Sequence, residues 1–290
     1  MHEAVMVKEV VNNLIVDSSG HYVDCTFGSG GHSINILKNL NNSGSLTALD
    51  KDIESVKIGR EFASSDERFN IIRSNFSNIS KLLESNSIDG ILVDLGISSS
   101  QLDDPDRGFS FKNNGPLDMR IDQGEDLTAK DWINSSSKKE IEEVLQHLGQ
   151  ERSYKKITEA ISKYREIKPI SSTKDLVEII LSCKIKRTNK HPATNVFRAI
   201  RMRVNQELKE LNKVLDDAGK VLKLGGRLVV ISFHSIEDRI VKRFLQGKDR
   251  IEEENRFSLI RKKPLKPSYD EIKRNPRSRS AILRVAERVV

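Results

Sequence analysis

A glycine cluster at positions 28 to 31 follows a short apolar run and precedes a helical pattern, within the segment Asp24–His32 (DCTFGSGGH). Glycines at such a place let the backbone turn tightly and approach a ligand closely. Asp50 lies 22 residues beyond Gly28, at the end of the next apolar run. A carboxylate there can accept hydrogen bonds from both hydroxyls of an adenosine ribose. The combination predicts a site for a nucleoside cofactor, whereas the glycines alone would also suit a plain tight turn.

Two features favour S-adenosylmethionine over NAD as that cofactor. The dinucleotide fingerprint G-x-G-x-x-G needs a third glycine, and Ser33 stands at that position. The stretch Val221–Val230 (VLKLGGRLVV) has the helix end, paired-glycine turn and apolar strand typical of class I methyltransferases. The sequence therefore predicts an α/β, Rossmann-like methyltransferase fold.

The elements that position these residues alternate between apolar runs and helical patterns through the first 95 residues. Such alternation indicates βαβ units and a parallel sheet. A closing antiparallel pair is predicted at Ser258–Ile260 and Ala281–Val285. The other predicted strands are His21–Phe27, Ser45–Asp50, Arg68–Arg73, Ser87–Leu95 and Arg227–Phe233.

This alternation stops at Gly96. Residues 97–124 show no sustained period, which predicts a functional loop or linker. An apolar stripe from Phe197 to Leu215 predicts a long helix that breaks near Asp217–Gly219. Further helices are predicted at Thr128–Ile133, Ser137–Leu148 with a Ser137/Glu140 capping box, Ser153–Tyr164 and Thr173–Leu181. We therefore predict a discontinuous catalytic domain, 1–103 and 205–290, and an inserted loop and helical domain, 104–204.

Composition excludes several classes of protein. Of the 290 residues, 37% are hydrophobic, 31% are charged and 23 are Gly or Pro, which excludes low-complexity disorder of the whole chain. Cys25 and Cys183 are too few for a disulfide framework. No uncharged run approaches the roughly 18 residues that a membrane helix needs. We expect a soluble cytoplasmic protein with no membrane partner.

Positive charge is concentrated in two segments. Residues 184–205 hold seven basic side chains and no acid, and residues 261–279 hold eight against two acids. The rest of the chain carries a net charge of −6, against +7 for the whole. Such a distribution is typical of a surface that binds a polyanion such as nucleic acid, although two solvated faces are the alternative.

Longer motifs resemble those of one family from end to end. They are DCTFGSGGHS (24–33), DGILVDLGISSSQLDDPDRGFSF (89–111), GPLDMR (115–120), HPATNVFRAIRMRVNQEL (191–208), GGRLVVISFHSIEDRIVKRF (225–244) and NPRSRSAILRVAER (275–288). The sequence is similar to the bacterial ribosomal RNA small-subunit methyltransferase H family. The resemblance implies an S-adenosylmethionine-dependent enzyme that methylates N4 of one cytidine in the decoding centre of 16S ribosomal RNA, within the small ribosomal subunit.

The resemblance also implies the cofactor residues. They fall on the first glycine loop, on the ends of the predicted strands and in the loop after the fourth strand, at Gly30, Gly31, His32, Asp50, Phe76, Asp94 and Gln101. The alternatives are that Phe76 is a plain core residue, that Gln101 is a surface residue, and that His32 is a helix-start residue without a ligand.

Transfer to a cytosine amine needs an acceptor for the amine protons. Many amino-methyltransferases carry an Asp/Asn-Pro-Pro-aromatic motif after the fourth strand, but this chain has Asp94-Leu95-Gly96-Ile97 there. The candidate acceptors are Asp94, Asp118 and the Ser232–Ser235 turn with His234, and the sequence does not choose among them. Phe109, Phe111 and Phe233 are candidates to stack on a flipped base, or are core residues.

The candidate RNA contacts are basic. Arg198 and Arg201 follow the steps of one helix face opposite the apolar stripe, so they could hold phosphates or pair with acids of the insertion. The full set of predicted RNA-binding residues is Arg198, Arg201, Arg203, Arg277 and Arg279. The histidines have no spacing typical of a metal site, so we predict no metal.

Rival interpretations are a methyltransferase acting on another base and a non-catalytic RNA-binding ribosome-assembly factor that keeps a nucleoside pocket. The oligomeric state is open, a homodimer included.

Overall fold

The computed structural model describes residues 4–183, 191–248 and 257–290. The chain divides into two compact units, which we describe separately. The first, Met1–Gly96 with Leu208–Val290, contains the sheet and is called the sheet unit. The second, Ile97–Glu207, is called the helical unit. The sequence predicts boundaries at 103/104 and 204/205, and the contacts of the folded chain place them at 96/97 and 207/208.

The sheet unit contains a seven-stranded sheet in the order β3-β2-β1-β4-β5-β7-β6. Its strands are β1 His21–Asp24, β2 Ser45–Asp50, β3 Phe69–Arg73, β4 Ile88–Asp94, β5 Leu222–Ser232, β6 Phe257–Leu259 and β7 Ile282–Arg288. Strands β1 to β5 are parallel, and β7 runs antiparallel to both β5 and β6. The predicted α/β, Rossmann-like fold of class I methyltransferases is confirmed, and so is the closing antiparallel pair.

The described residues form thirteen α-helices. They are α1 Val7–Leu14, α2 Gly31–Leu37, α3 Ile53–Ala63, α4 Ile79–Leu82, α5 Ser99–Asp103, α6 Ala129–Ser135, α7 Lys138–His147, α8 Tyr154–Ile167, α9 Thr173–Ser182, α10 Thr194–Val204, α11 Glu207–Val221, α12 Ser235–Leu245 and α13 Tyr269–Arg274. Short 3-10 turns occur at Phe76–Asn78, Pro105–Arg107 and Pro276–Ser280. No helix in the described ranges is both long enough and apolar enough to cross a membrane.

The central strands are apolar at successive positions because both faces of the sheet are covered. On β4, Ile91 and Val93 belong to one hydrophobic cluster, while Leu92 between them belongs to the other. Strand β5 alternates in the same way, with Val230 in the first cluster and Val229 in the second. The strands are therefore held firmly, and their carboxyl ends form a rigid edge.

The helical unit has its own hydrophobic core around Trp132, which is 1% exposed. The indole Nε1 of Trp132 donates to Glu140 Oε1 at 2.8 Å. The predicted Ser137/Glu140 capping box is therefore half formed. Ser137 accepts from the Glu140 N–H, but the Glu140 carboxylate turns to Trp132 and Arg203.

Residues 97–124 are not structureless, which corrects the sequence-based expectation. Ser98 and Gln101 form a reciprocal capping box that starts α5, and a 3-10 turn follows at Pro105–Arg107. The apolar period is missing because these elements span a few residues each, too few for a period to appear.

The predicted helix break near Asp217–Gly219 is wrong. The chain breaks at Asn205–Gln206, where Gln206 has a φ of 50°. The Asn205 side chain accepts from Ile121 N and donates to Met119 O, both at 2.7 Å, which ends α10. Helix α11 then runs through Asp217, whose buried carboxylate accepts from Ser80 Oγ at 2.8 Å.

Candidate functional site

The strand order reverses direction between β1 and β4. From β1 the sheet continues to β2 and β3 on one side, and from β4 to β5 on the other. In open α/β sheets, ligands bind at the carboxyl ends of the strands beside such a switch point. The glycine loop follows β1, Asp50 ends β2 and Asp94 ends β4, so these predicted residues of the sheet unit share one edge.

The glycine loop approaches its surroundings so closely that side chains would not fit. Gly28 and Gly30 have φ of 55° and 78°, a left-handed conformation that glycine adopts without strain. A Cβ on Gly30 would lie 2.8 Å from Phe27 Cζ, and one on Gly31 would lie 2.8 Å from Ala4 Cβ. The conformation and the close packing of the loop therefore favour glycine at these positions.

Asp50 joins the loops that follow β1 and β2. Its Oδ2 accepts from Gly28 N at 2.8 Å, and its Oδ1 accepts from Asp52 N at 2.9 Å. Burial raises the pKa of Asp50 from 3.8 to about 6, because it penalises the charged form. Each oxygen keeps acceptor capacity, so the carboxylate can take the two hydroxyls of a ribose.

A largely buried network connects the next two loops. Lys51 Nζ donates to Glu210 Oε1 at 2.8 Å, and the two side chains are 14% and 13% exposed. The Asn75 amide also donates to Glu210, while the Asn75 Oδ1 accepts from Ser77 N. Glu210 therefore fixes the turn that carries the half-buried Phe76, together with the segment after Asp50. Sequence reasoning missed Glu210, since nothing in the local pattern of α11 distinguishes it from the other charged residues of that helix.

A buried cluster of ionisable groups lies at the switch point. His32 is 5% exposed, and its Nε2 lies 3.4 Å from Asp94 Oδ2. Burial lowers the pKa of His32, but the Asp94 and Asp24 carboxylates outweigh burial, so the net pKa is raised. Burial raises the pKa of Asp24, which is wholly buried and accepts from Ser33 Oγ at 2.7 Å.

Asp94 has an unused acceptor. Its backbone N donates to Thr26 Oγ1 at 2.9 Å, which fixes the end of β4. Within the described ranges, the buried Asp94 Oδ1 has no hydrogen-bond partner, and neither do the two ring nitrogens of His32. Buried polar atoms are nearly always paired, so a polar group of a ligand or a water at this edge would complete their hydrogen bonds.

The end of β5 carries a His–carboxylate pair. His234 Nε2 lies 2.7 Å from Glu237 Oε1, close enough for an ion pair although not aligned as a hydrogen bond. Glu237 is 2% exposed, and its Oε2 accepts from Phe233 N at 2.9 Å. Among the described residues, His234 Nδ1 has no hydrogen-bond partner. Sequence reasoning named His234 but missed Glu237, which lies beside its ring.

Two predicted site residues belong to the helical unit. Asp118 is held by Arg120 through two hydrogen bonds of 2.9 and 2.7 Å, and this pairing raises the pKa of Arg120. Gln101 is buried, and its Oε1 accepts from Ser98 N at 2.9 Å. Both side chains thus have structural partners inside the helical unit, and their predicted roles stay predictions.

The predicted RNA-binding arginines differ in environment. Arg198 donates to Gly149 O at 2.5 Å, and Arg201 forms a bidentate pair with Glu207 at 2.7 and 2.8 Å. Arg203 pairs with Glu140 at 3.2 Å. These partners favour the alternative in which arginines of α10 pair inside the insertion. Arg277 and Arg279 are exposed on the sheet unit. The basic positions Lys184, Lys186, Arg187 and Lys190 lie outside the described residues.

The three candidate stacking residues are also placed differently. Phe109 is 6% exposed in the core of the helical unit. Phe111 is half-buried and stacks on His191, with ring centroids 4.6 Å apart and planes 19° apart. Phe233 is half-buried in the sheet unit.

In the described part of the chain, no three His, Cys, Asp or Glu side chains form a group that could hold a metal ion.

Comparison with known proteins gives matches over nearly the whole chain. The sequence model of the MraW methylase family matches residues 1–289. The ribosomal RNA small subunit methyltransferase H of Coxiella burnetii (strain Dugway 5J108-111) is 43% identical over 303 aligned positions, covering 99% of either chain. The protein of that name from Nitrosomonas eutropha is 44% identical over 311 positions, covering 100% of this chain and 98% of its own. A solved SAM-dependent methyltransferase from Aquifex aeolicus aligns at 10% identity with a TM-score of 0.45, covering 99% of this chain and 90% of that one.

Proposed function

The chain belongs to the MraW methylase family, and from that premise we propose that it methylates N4 of one cytidine in the decoding centre of 16S ribosomal RNA. The methyl donor is S-adenosylmethionine. The relatives named above are ribosomal RNA small subunit methyltransferases, which supports the small-subunit RNA as substrate. Because that RNA is in the cytoplasm, the protein acts there, and the substrate is the RNA within the small ribosomal subunit.

The observation that carries this proposal is the unpaired Asp94 Oδ1 beside His32 at the switch point. The residues at this edge fit S-adenosylmethionine. Asp50 would accept the ribose hydroxyls, the half-buried Phe76 would cover an adenine face, and the Gly30–His32 loop would border the methionine end. Asp94 Oδ1 is a suitable acceptor for the methionine ammonium or for the amine that is methylated.

S-adenosylmethionine, when bound, supplies a methyl group on a sulfonium, which is already a good electrophile. Side chains of this protein then have to position the cytosine amine and remove a proton from it, since the amine lone pair is delocalised into the ring. Asp94 orients the amine by accepting one of its N–H groups, which helps the nitrogen to become tetrahedral. With the amine held in line, its nitrogen would take the methyl group as the S–C bond breaks, and S-adenosylhomocysteine would leave.

Among the three candidate acceptors, His234 suits the proton best. Glu237 lies next to its Nε2, which leaves the lone pair on Nδ1 for the amine proton. Asp118 suits this role less well because Arg120 engages both of its carboxylate oxygens. We therefore propose that Asp94 orients the amine, His234 accepts the proton and Glu237 positions His234.

Transfer of labelled methyl groups tests the proposal. Radiolabelled S-adenosylmethionine is offered with naked 16S RNA and with small subunits that lack the modification, and the digested nucleosides are identified by mass spectrometry. Label in N4-methylcytidine supports the proposal, and label in another nucleoside assigns another base. RNA binding without any transfer would support the rival assignment, a non-catalytic assembly factor.

A further inference from the structure

The segment Arg261–Arg279 of the sheet unit, called the basic segment below, places its positive charge in solvent. All eight basic side chains are exposed: Arg261, Lys262, Lys263, Lys266, Lys273, Arg274, Arg277 and Arg279. Of its two acids, Asp270 is exposed, whereas Glu271 is 9% exposed and accepts from Met6 N at 2.7 Å. The exposed charged side chains of the basic segment are therefore eight basic residues and one acid, Asp270.

The basic segment is held by one strand of the sheet and by contacts of its own. Leu265 exchanges two backbone hydrogen bonds of 2.9 and 3.0 Å with Leu283 on β7. Pro267 is buried, and Ser278 is wholly buried with its hydroxyl donating to Asn275 O at 2.7 Å. Because the backbone is already ordered, binding a strand of phosphates costs little additional conformational entropy.

Tyr269 is an exposed aromatic residue on this cationic surface. It is 80% exposed at the start of α13, whereas the other three tyrosines are buried or half-buried. Lys273 lies four residues further along α13 and therefore on the same face of the helix as Tyr269. Aromatic faces flanked by cations are what proteins use to stack the bases of single-stranded nucleic acid while holding its backbone.

We propose that the basic segment, with Tyr269 as its stacking residue, is a docking surface for single-stranded RNA outside the cofactor site. This inference rests on the proposed ribosomal RNA substrate and adds a second place where that RNA is held. Charge complementarity supports RNA as the occupant, since the segment is strongly cationic and the chain outside the two basic segments carries a net charge of −6. The exposed Tyr269 favours unpaired bases over a duplex, because a paired base does not offer its face for stacking.

Equilibrium binding of labelled RNA to the full-length protein tests the surface. The probes are a fluorescent single-stranded RNA of about 16 nucleotides, the upper end of common site sizes, and a duplex of the same length. Tyr269→Ala should weaken binding of the single strand about tenfold, whereas Tyr269→Phe should keep it, because phenylalanine preserves the stacking face. Binding of the duplex should change much less.

The charge contribution is tested with a double variant. Lys266→Gln with Lys273→Gln should flatten the slope of log affinity against log salt by about 1.4, at roughly 0.7 per lost phosphate contact. The matched control is Lys38→Gln with Lys81→Gln, two exposed lysines elsewhere on the sheet unit, and it should leave the slope unchanged. Melting temperatures of all variants show whether each is folded.

Several outcomes would overturn the proposal. One is that the folded Tyr269→Ala and double-lysine variants bind the single strand as tightly as the unaltered protein does. Another is that the variants lose equal affinity for the single strand and for the duplex. Binding to phosphatidylserine vesicles that is lost in the same variants, with RNA binding retained, would assign the surface to a membrane instead. In methyl transfer, these variants should raise KM for the RNA substrate and leave S-adenosylmethionine affinity unchanged. If the unaltered protein transfers no methyl group, the proposed function fails, while the binding assay still decides about the surface.

Discussion

Asp50, Asp94 and Asp118 carry the same carboxylate but have different partners, and the partners decide what each can do. Asp50 is tied to two backbone N–H groups and keeps acceptor capacity. Asp94 has one oxygen beside His32 and another that is buried without a partner in the described part of the chain. Asp118 is occupied by Arg120. A residue type alone therefore does not assign a role at this site.

Asp50→Ala is expected to weaken S-adenosylmethionine binding by roughly 1.5–3 kcal/mol, because charge-assisted hydrogen bonds to the ribose are lost. Calorimetric titration measures this change, and NAD should give no measurable binding to the unaltered protein. Glu54→Ala is a suitable control, since Glu54 is an exposed residue of α3. Unchanged S-adenosylmethionine affinity in a folded Asp50→Ala protein would reject the ribose assignment.

The affinity for S-adenosylmethionine should depend on pH through Asp50. Because burial raises the pKa of Asp50 to about 6, affinity should fall as the pH drops through that value and the stronger, ionised acceptor is lost. Folding stability depends on pH through Asp50 in the opposite direction. Between the ordinary pKa of 3.8 and about 6, the folded state holds a proton that the unfolded chain has released, so stability falls as pH rises through this window.

Calorimetric titrations across that pH window check this expectation, with Asp50→Asn as the comparison. His32 has a raised pKa and titrates in both proteins, so the Asp50 component is the difference between the two profiles. Identical pH profiles for the two proteins would show that Asp50 does not control the affinity.

Asp94→Asn should lower single-turnover methyl transfer by about 100-fold or more, a typical loss for a positioned polar group in catalysis. The fold should persist, since it is the backbone of Asp94 that bonds Thr26. Asp131→Asn is the matched control, because Asp131 is an exposed residue that caps α6 in the helical unit. Equal rates for the two variants would reject the role of Asp94.

At the scale of elements, α11 supports the two segments that carry the predicted cofactor residues Asp50 and Phe76. Glu210 on α11 accepts from Lys51 and Asn75, which flank the loops after β2 and β3. Those loops carry Asp50 and Phe76. The helix therefore positions the ribose and adenine ends of the proposed cofactor pocket through a single carboxylate.

Glu210→Ala is expected to weaken S-adenosylmethionine binding about tenfold, which is 1.4 kcal/mol, because both loops lose their common partner. Glu210→Gln should have a smaller effect, since its amide oxygen still accepts from Asn75. Glu54→Ala again serves as control, because its ion pair with Lys57 is exposed and contributes little. Calorimetry gives the affinities, and thermal melts separate a positioning effect from general unfolding. Equal affinities for the Glu210→Ala and Glu54→Ala proteins would contradict the positioning role.

The arginines of α10 allow a second test at the scale of elements, in the helical unit. Arg201 forms a bidentate pair with Glu207, and the two side chains are 15% and 11% exposed. Arg198→Ala with Arg201→Ala is therefore expected to lower unfolding free energy by about 2–4 kcal/mol, since it leaves Glu207 without this partner and removes the bond from Arg198 to Gly149.

Denaturant unfolding measures the stability of that double variant, and RNA titrations at several salt concentrations measure its binding. Below its melting temperature, the salt slope of RNA affinity should equal that of the unaltered protein. A slope flattened by about 0.7 per lost contact, with stability preserved, would instead assign Arg198 and Arg201 to phosphates.

At the scale of the whole molecule, most of the predicted site residues belong to the sheet unit. The sheet unit holds the glycine loop, Asp50, Asp94 and His234 on one edge of its sheet. It also carries the basic segment, while the helical unit builds a separate hydrophobic core around Trp132. The switch point between β1 and β4 explains why these predicted residues of the sheet unit meet at one edge of its sheet.

The amino-acid sequence by itself determined the strands and the residues at their carboxyl ends, such as Asp50 and Asp94. Strand β2 occupies the predicted residues Ser45–Asp50, and the other predicted strands differ from the observed ones mainly at their ends. The prediction of the strands succeeds because hydrophobic periodicity and glycine turns are local properties, which a few neighbouring residues reveal. The family motifs are recognisable in the sequence for the same reason, since each is a continuous run of residues.

Only the tertiary structure decided which side chains meet across long sequence distances. Lys51 and Asn75 find Glu210 more than 130 residues away, and Asn205 ends α10 by bonding the backbone near Ile121. Glu140 looked like half of a capping box, yet its carboxylate bonds Trp132. A polar side chain takes the partner that burial brings within hydrogen-bonding distance, and burial is set by how helices and strands pack rather than by neighbours in sequence.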